Sequence, residues 1–343
     1  MLRLVQLIHE SDGRRVAVVE EPRLRPLAKW RSVYELAQEA IRAGLKIANV
    51  VAADTFLTPL EYDAVYDRRS PWRLLPPMDH PVEPGRCLVT GTGLTHKASA
   101  ENRNSMHANS RVGSALQTES TGPLTDSMKM YRIGLEGGRP APGQIGAAPE
   151  WFYKGCGTVV RAHGQPLEVP NYADDGGDEA EIAGAYLIGP DGTPYRVGLV
   201  QGNEFSDHVL ESKNFAYLAP SKLRTCALGP ELVVGADFAD VPGRVRIERG
   251  ADLVWEAVRA SGERAMCHAL ANLEHHHFKY AAHRRPGDAH VHFFGADHFS
   301  YRDRVRLEDG DVMVVAFEQF GRPLRNPVRI DRSRPAAVAV KVL

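Results

Sequence analysis

Three carboxylates and one amine are spaced along the middle of the sequence so that they can meet at one point. Glu179 and Glu181 are two residues apart, and side chains at positions i and i+2 of a β-strand point to the same face of the sheet. Glu204 and Lys222 follow in segments that we predict to be neighbouring strands. Carboxylates this close repel one another unless a cation lies between them, and hard divalent cations prefer oxygen ligands. The pattern therefore predicts a Mg²⁺ site beside a proton-transfer group, with Mn²⁺ and Ca²⁺ as alternative ions.

The composition is typical of a globular protein whose ligand is a small molecule. The formal net charge is −1, and the 42 basic and 43 acidic residues are interspersed. This balance argues against a nucleic-acid partner and against binding to a membrane surface. The sequence contains no run of about 18 apolar residues, so we predict no membrane span. The first residues lack a signal-peptide pattern. The four cysteines are widely spaced, with no C-x-x-C pair, so we expect a reduced, cytoplasmic environment.

Proline residues between positions 71 and 84 separate two predicted domains. The first, residues 1–84, begins with a predicted hairpin over residues 2–19 that turns at Asp12–Gly13. A helix is predicted over about residues 28–46, where apolar residues recur at helical spacing. We therefore expect a small N-terminal α/β domain.

The second predicted domain, residues 85–343, consists of short β-branched runs separated by Gly, Pro and Asp, such as residues 312–317. Helical spacing returns over residues 253–261 and 263–275, and a polar stretch over residues 113–138 predicts a long exposed loop. We therefore predict an α+β fold in which this β-rich domain forms a mixed β-sandwich roll with peripheral helices.

Five motifs occur in the order that is typical of the fumarylacetoacetate hydrolase superfamily, which the chain resembles over residues 87–328. The motifs are P-E-W-F-Y-K-G at 149–155, E-A-E at 179–181, G-N-E-F-S at 202–206, C-A-L-G-P at 226–230 and G-R-P-L-R-N-P-V at 321–328. The resemblance implies a β-rich catalytic roll that holds a metal ion. It also implies a homodimer.

Two further segments are similar to the sugar-acid branch of this superfamily, the 2-keto-3-deoxyarabinonate dehydratase type. Y-L-A-P-S-K at 217–222 resembles the Y-L-P-Q-A-K of that branch, and residues 93–103 resemble its G-V-T-Y-x-x-S-x-x-x-R. The resemblance implies that three carboxylates hold Mg²⁺, that Lys222 lies beside the substrate, and that three polar residues contact the substrate. The implied ligands are Glu179, Glu181 and Glu204, and the implied substrate contacts are Thr95, Ser99 and Arg103.

Three departures from the pattern of the branch concern an expected metal ligand, an expected glutamate and an expected threonine. The third metal ligand is usually Asp and here is Glu204, so Asp207 is an alternative ligand. The glutamate expected a few residues after the arginine is absent, which makes His107 the candidate acid or base at that place. A threonine expected before Leu324 is Pro323, which has neither a hydroxyl nor an N–H. These departures indicate a distinct subgroup.

The implied reaction is dehydration of a 2-keto-3-deoxy sugar acid, a pentonate, to 2-oxoglutarate semialdehyde in non-phosphorylative sugar catabolism. A metal ion chelated by the 2-keto acid would stabilise the enolate formed when a C3 proton leaves. Removing that proton and protonating the C4 hydroxyl need groups whose pKa can approach neutrality, for which Lys222 and His107 are the candidates. The sequence leaves open which of them is the base.

Three alternatives remain at this point. One is a hydrolase that cleaves a C–C bond of an acylpyruvate, and another is a sugar-acid-binding protein without turnover. The third is a zinc site among the seven histidines between positions 275 and 298. Consecutive histidines point in different directions, and no H-E-x-x-H occurs, so we favour supporting, substrate-contact or interface roles for these residues.

Overall fold

The computed structural model describes residues 1–110 and 124–343, and the side chains of all of these except residues 105–110. The helices of this part are α1 (Val33–Ala43), α2 (Ile47–Ala52), α3 (Tyr62–Tyr66), α4 (Lys97–Ser110), α5 (Asp126–Gly137), α6 (His208–Lys213), α7 (Leu218–Lys222) and α8 (Leu270–Phe278). Short 3₁₀ turns occur at Pro84–Arg86, Gly157–Val159, Phe215–Tyr217, Ala281–Arg284 and Ser300–Asp303.

The strands of the described part form two sheets. They are β1 (Leu2–His9), β2 (Gly13–Glu20), β3 (Arg23–Pro26), β4 (Leu60–Glu61), β5 (Arg73–Leu75), β6 (Cys87–Gly91), β7 (Phe152–Cys156), β8 (Val160–Arg161), β9 (Leu167–Val169), β10 (Ala180–Ile188), β11 (Pro194–Asn203), β12 (Cys226–Leu228), β13 (Leu232–Val234), β14 (Val241–Arg249), β15 (Asp252–Ser261), β16 (Ala289–Phe293), β17 (Val312–Phe317) and β18 (Leu324–Ile330).

The larger sheet runs in the order β4-β3-β2-β1-β13-β11-β10-β16-β6-β7, with β5, β8 and β12 paired beside this path. The smaller sheet runs in the order β15-β14-β17-β18-β9. Most neighbours are antiparallel, but β16 and β6 are parallel, as are β18 and β9. The sheets are therefore mixed, and the predicted α+β class is confirmed.

The predicted N-terminal hairpin forms and joins the larger sheet. Strands β1 and β2 pair antiparallel, with Leu4 opposite Val18, and β1 also pairs with β13, with Leu4 opposite Leu232. Leu4 and Leu232 are fully buried. The division of the chain into domains 1–84 and 85–343 stays a prediction, with these strands hydrogen-bonded across it.

Strand β10 lies near the centre of the larger sheet, and all nine of its residues are buried. Ile182 and Tyr186 point to the core shared with the smaller sheet, and Ala183 and Leu187 point to the core shared with α1 and α2. Because side chains alternate along a strand, Glu181 lies on the same face as Ala183. An ionisable side chain thus enters the interior at the end of an otherwise apolar strand.

Local signals explain where two helices begin and end. The side chain of Ser32 accepts a hydrogen bond from the backbone N–H of Glu35, and Gly44 ends α1 with a φ of 65°. The predicted helix over residues 28–46 is therefore shorter than expected. Part of the predicted loop over residues 113–138 is helical, since α5 begins after Thr125, which accepts from the backbone N–H of Met128. Residues 113–123 of that loop lie outside the described residues.

The helix predicted over residues 253–261 is wrong, because this segment forms β15. It pairs with β14 along its length, from Arg249 opposite Asp252 to Val241 opposite Ser261. Its apolar residues satisfy either period, and the cross-strand pairing decides between them. The helix predicted over residues 263–275 is displaced, since α8 spans Leu270–Phe278. Within the described residues, no helix is both long enough and apolar enough to cross a membrane.

A cluster of histidines fills part of the interior between α8 and β16. The Nε2 atom of His277, on α8, lies 3.0 Å from the Nδ1 atom of His290. The ring of His277 stacks on the ring of His292, with 4.3 Å between the ring centroids. His290 and His292 share one face of β16, and Thr90 lies 2.8 Å from the Nδ1 atom of His292. Burial lowers the pKa of His290 and of His292 to about 3, so these rings are neutral at pH 7.

Because these histidines are neutral in the folded protein, we expect its stability to fall steeply in acid. In the unfolded chain a histidine takes up a proton near pH 6.5, whereas in the folded protein the pKa of His292 is about 3. The folded state thus binds fewer protons, and its stability is complete above pH 6.5 and falls as the pH drops toward 3. One such histidine contributes a slope of about 1.4 kcal/mol per pH unit to the free energy of unfolding.

We expect the paired substitutions Thr90→Val and His292→Phe to remove one such contribution while leaving no buried polar group unpaired. Urea unfolding at pH 4.5, 5.5 and 7 should show a slope that is lower than wild type by about 1.4 kcal/mol per pH unit. Equal slopes in the two proteins would show that His292 is protonated in the folded state or does not control acid stability.

Candidate active site

The three predicted metal ligands converge at one edge of the larger sheet. Glu179 immediately precedes β10, Glu181 is its second residue, and Glu204 immediately follows β11. Because β10 and β11 are antiparallel, with Ala180 opposite Asn203, the start of one strand lies beside the end of the other. One carboxylate oxygen from each glutamate lies within 4.8 Å of the other two, and no other group of acidic, histidine or cysteine side chains within the described residues meets that condition.

Lys222 joins the same cluster. Its Nζ atom donates to the Oε1 atom of Glu179 at 2.6 Å and to the Oε2 atom of Glu204 at 2.7 Å. The ring of Phe152 lies 4.7 Å from this ammonium group. The predicted strand around Lys222 is wrong, since the residue ends the short helix α7. The structure nevertheless brings together all four residues with which the sequence analysis began.

Lys154 and His208 also contact the carboxylates. The Nζ atom of Lys154 lies 2.7 Å from the Oε1 atom of Glu204, and it also donates to the backbone oxygens of Phe205 and Lys222. The Nε2 atom of His208 lies 2.9 Å from the Oε1 atom of Glu179. The sequence analysis assigned neither residue a role. Lys154 belongs to the motif at 149–155 and was open to prediction, whereas no signal in the sequence pointed to His208.

Glu181 is the carboxylate with the fewest partners. Its Oε2 atom accepts a hydrogen bond of 2.7 Å from the backbone N–H of Gly295, and its Oε1 atom is buried without a partner. Gly295 has a φ of 102°, and a Cβ atom there would lie 2.0 Å from the Oγ1 atom of Thr95, so only glycine fits. A buried carboxylate oxygen with no partner is costly, and a cation would satisfy it.

The pKa values of the glutamates follow from burial and from the neighbouring cations. Burial favours the neutral form of Glu179, but Lys222 and His208 outweigh it and hold its pKa well below the usual range. Burial raises the pKa of Glu181 far above the usual range, and the charges of Glu204 and Glu179 raise it further. Burial and Glu179 also raise the pKa of Glu204. The cluster is therefore short of positive charge at Glu181, which fits a site for a divalent cation.

Lys222 carries its proton in this arrangement. Burial alone would lower its pKa, but the charges of Glu179 and Glu204 outweigh burial and raise the pKa above its ordinary value. The amine is thus held as an ammonium group, so the shift of its pKa toward neutrality that the sequence analysis required is not found in this arrangement. A cation that binds the two carboxylates would compete with it for the same oxygen atoms.

The predicted substrate contacts lie on the segment that leads into α4. Thr95 is fully buried, and its Oγ1 atom donates to the backbone oxygen of Phe294 at 2.8 Å. Ser99 and Arg103 are four residues apart on α4, which places them on the same side of the helix. The contact of all three with a substrate stays a prediction.

Arg103 is clamped between two acids. Its Nη1 atom donates to Glu150 at 2.5 Å, and its Nε atom lies 2.6 Å from Glu211. Burial opposes its charge, but these acids outweigh burial and raise the pKa of the guanidinium, with a smaller contribution from Glu179. The clamp fixes the position of Arg103 beside the carboxylate cluster. Neither partner could be predicted, because both are far from Arg103 in the sequence.

Of the other two candidates, Asp207 is engaged elsewhere and the side chain of His107 is not described. Asp207, the alternative metal ligand, uses one oxygen to cap α6 at the backbone N–H of Leu210 and the other to bind Arg224 at 2.8 Å. Its oxygens are occupied, so Glu204 is the third carboxylate of the site. His107 lies on α4, but its side chain is outside the described residues, and its role stays a prediction. The oxygen of Pro323 accepts a hydrogen bond from Tyr66.

Solved structures resemble this fold over nearly the whole chain. No protein-family model and no curated protein matches the sequence. A structure of 2-keto-3-deoxyarabinonate dehydratase has a TM-score of 0.69 at 17% identity, covering 96% of this chain and 100% of its own. The structure of 2-keto-3-deoxy-D-arabinonate dehydratase complexed with magnesium and 2,5-dioxopentanoate has a TM-score of 0.68 at 17% identity, with the same coverage of both chains.

More distant similarity extends to an isomerase. The 5-carboxymethyl-2-hydroxymuconate delta-isomerase from Mycobacterium smegmatis has a TM-score of 0.56 at 16% identity, covering 96% of this chain and 100% of its own. At this level of identity the matches establish the fold. The resemblance stated from the motifs is confirmed at the level of the fold, which is that of 2-keto-3-deoxyarabinonate dehydratase.

Proposed function

We propose that this protein is a Mg²⁺-dependent hydro-lyase that dehydrates a 2-keto-3-deoxypentonate to 2-oxoglutarate semialdehyde, a step of non-phosphorylative sugar catabolism. The observation that carries the proposal is the buried triad of Glu179, Glu181 and Glu204 with the ammonium group of Lys222 in contact with it. A protein of the same fold binds magnesium and 2,5-dioxopentanoate, the aldehyde product of this reaction, which supports the assignment. From the resemblance we also propose a cytoplasmic homodimer.

The residues present divide the chemistry between them. Glu179, Glu181 and Glu204 would hold the divalent ion, which would polarise the keto group and stabilise negative charge as the C3 proton leaves. Lys222 is protonated and buried, and an ion that shared Glu179 and Glu204 would weaken the contacts that raise its pKa, so Lys222 is the proposed acid that protonates the C4 hydroxyl as it leaves as water. His107 is then the proposed base that accepts the C3 proton. Lys154 remains paired with Glu204 and keeps that carboxylate in place.

One contact favours the alternative of acylpyruvate hydrolysis. That reaction needs a base to activate a water molecule, and a histidine paired with a carboxylate is a common solution. His208 and Glu179 form such a pair at 2.9 Å. Glu179 also belongs to the acidic triad and binds Lys222, so the pair is not reserved for a water molecule. Dehydration therefore remains the proposed reaction.

The first prediction concerns the reaction. With Mg²⁺ present, the purified protein should convert 2-keto-3-deoxypentonate to an aldehyde, followed by NMR of the mixture, and should leave acetylpyruvate intact. Cleavage of acetylpyruvate without aldehyde formation would replace the proposal by the hydrolase. Tight binding of the sugar acid with neither product would identify a binding protein instead.

The second prediction concerns the metal. Glu181→Gln removes the charge of the carboxylate that has an unpartnered oxygen, so Mg²⁺ affinity measured by calorimetry should fall by at least about 100-fold. Glu231→Gln is the matched control, because Glu231 is fully buried but binds Tyr62 away from the triad. Its Mg²⁺ affinity should equal that of wild type. Wild-type affinity in Glu181→Gln would exclude Glu181 as a ligand.

The third prediction separates Lys222 from the metal. Lys222→Met removes a proton donor, so kcat should fall by about 10²- to 10⁴-fold. It also removes the ammonium group that competes for Glu179 and Glu204, so Mg²⁺ affinity should be equal to or higher than that of wild type. Wild-type turnover in this variant would exclude Lys222 from the reaction, and loss of Mg²⁺ binding would make it a structural residue of the site.

A further inference from the structure

His96 belongs to the same segment as the predicted substrate contacts and has no role in the reaction as proposed so far. Its side chain is 2% exposed, and its Nε2 atom is buried without a hydrogen-bond partner. Its neighbour Thr95 packs against Gly295, whose backbone N–H binds Glu181. A buried polar nitrogen without a partner is costly in a folded protein and calls for a partner that arrives with the ligand.

The hydrogen bonds around Thr95 determine which nitrogen of His96 carries the proton. The hydroxyl of Thr95 donates its only proton to the backbone oxygen of Phe294, because a carbonyl can only accept. At its 3.0 Å contact with the Nδ1 atom of His96, the Thr95 oxygen must therefore accept, and Nδ1 must donate. In the neutral ring the Nε2 atom is then left as an acceptor with a free lone pair.

The position of His96 on the chain directs it to the same side as the predicted substrate contacts. The backbone oxygen of His96 accepts from the N–H of Ala100, so His96 occupies the position just before the first turn of α4. Ser99 and Arg103 follow it three and seven residues later, and these spacings place all three side chains on one face of the helix. Arg103 at the far end of this face lies within electrostatic range of Glu179.

We infer that His96 binds a hydroxyl group of the substrate by accepting a hydrogen bond at its Nε2 atom. The inference rests on the proposed function, since it assigns part of the specificity of the same site. Burial lowers the pKa of His96 to about 4, with Asp297 opposing that shift. A ring with so low a pKa is a weak base at pH 7, so it is suited to accept a hydrogen bond and not to remove the C3 proton. His96 is therefore a positioning residue that distinguishes hydroxylated 2-keto acids from plain ones.

The test compares two ligands that differ in their hydroxyl groups. His96→Asn retains an amide that can reach Thr95 but removes the acceptor at the place of Nε2, whereas His96→Gln places an amide oxygen near it. With Mg²⁺ present, His96→Asn should weaken binding of 2-keto-3-deoxypentonate by about tenfold, measured by calorimetry. Binding of pyruvate, which has no hydroxyl, should change by less than twofold. His96→Gln should recover most of the lost affinity.

The controls keep the outcomes distinct. His163→Asn removes another buried imidazole, one that stacks on Tyr66 outside the site, and should leave both affinities unchanged. Equal losses for pyruvate and the sugar acid in His96→Asn, or no loss for either, would overturn the inference while the wild type remained active. A wild type that binds neither 2-keto acid would overturn the proposed function, and with it the role of His96.

Discussion

Three carboxylates share one buried space in this protein, and the cations around them determine what the surrounding structure must provide. Water cannot screen charges at this depth, so every negative oxygen needs a positive or donating partner from the chain or from a ligand. Glu179 receives Lys222 and His208, and Glu204 receives Lys154 and Lys222. Only Glu181 is left with a backbone N–H and a free oxygen. The Oε1 atom of Glu181 is thus the atom of the triad that lacks a partner.

This charge requirement explains the elements that converge on the site. The antiparallel edge of β10 and β11 brings the acids together, and β7 and α7 supply the two lysines. The substitution of the usual Asp by Glu204 also becomes understandable, since the longer side chain binds a different lysine with each of its oxygens. Backbone strain accompanies the arrangement, because Phe205, next to Glu204, has a φ of 41°. Such strain persists where the surrounding contacts hold it in place.

The sequence was sufficient for the parts of the site that depend on local spacing or on ordered motifs. The i, i+2 spacing of Glu179 and Glu181 predicted a shared face, and the motifs predicted the fold. It was not sufficient for contacts made by tertiary packing, such as the acids that clamp Arg103 or the His208 partner of Glu179. Residues 253–261 show the same limit in the fold, because pairing with β14 decided between helical and extended spacing.

The site separates two tasks between two parts of the fold. The edge of the larger sheet holds the acidic triad and Lys222, and the segment from Thr95 to Arg103 carries the polar groups that we propose to contact the rest of the substrate. That segment is fixed independently of the carboxylates, by the bond of Thr95 to Phe294 at one end and by Glu150 and Glu211 at the other. We therefore expect a substitution on this face of α4 to leave the acidic triad in place. His96 lies where the sugar-acid pattern has a tyrosine, and by our inference it would select among hydroxyl groups of the ligand without changing how the triad binds a cation.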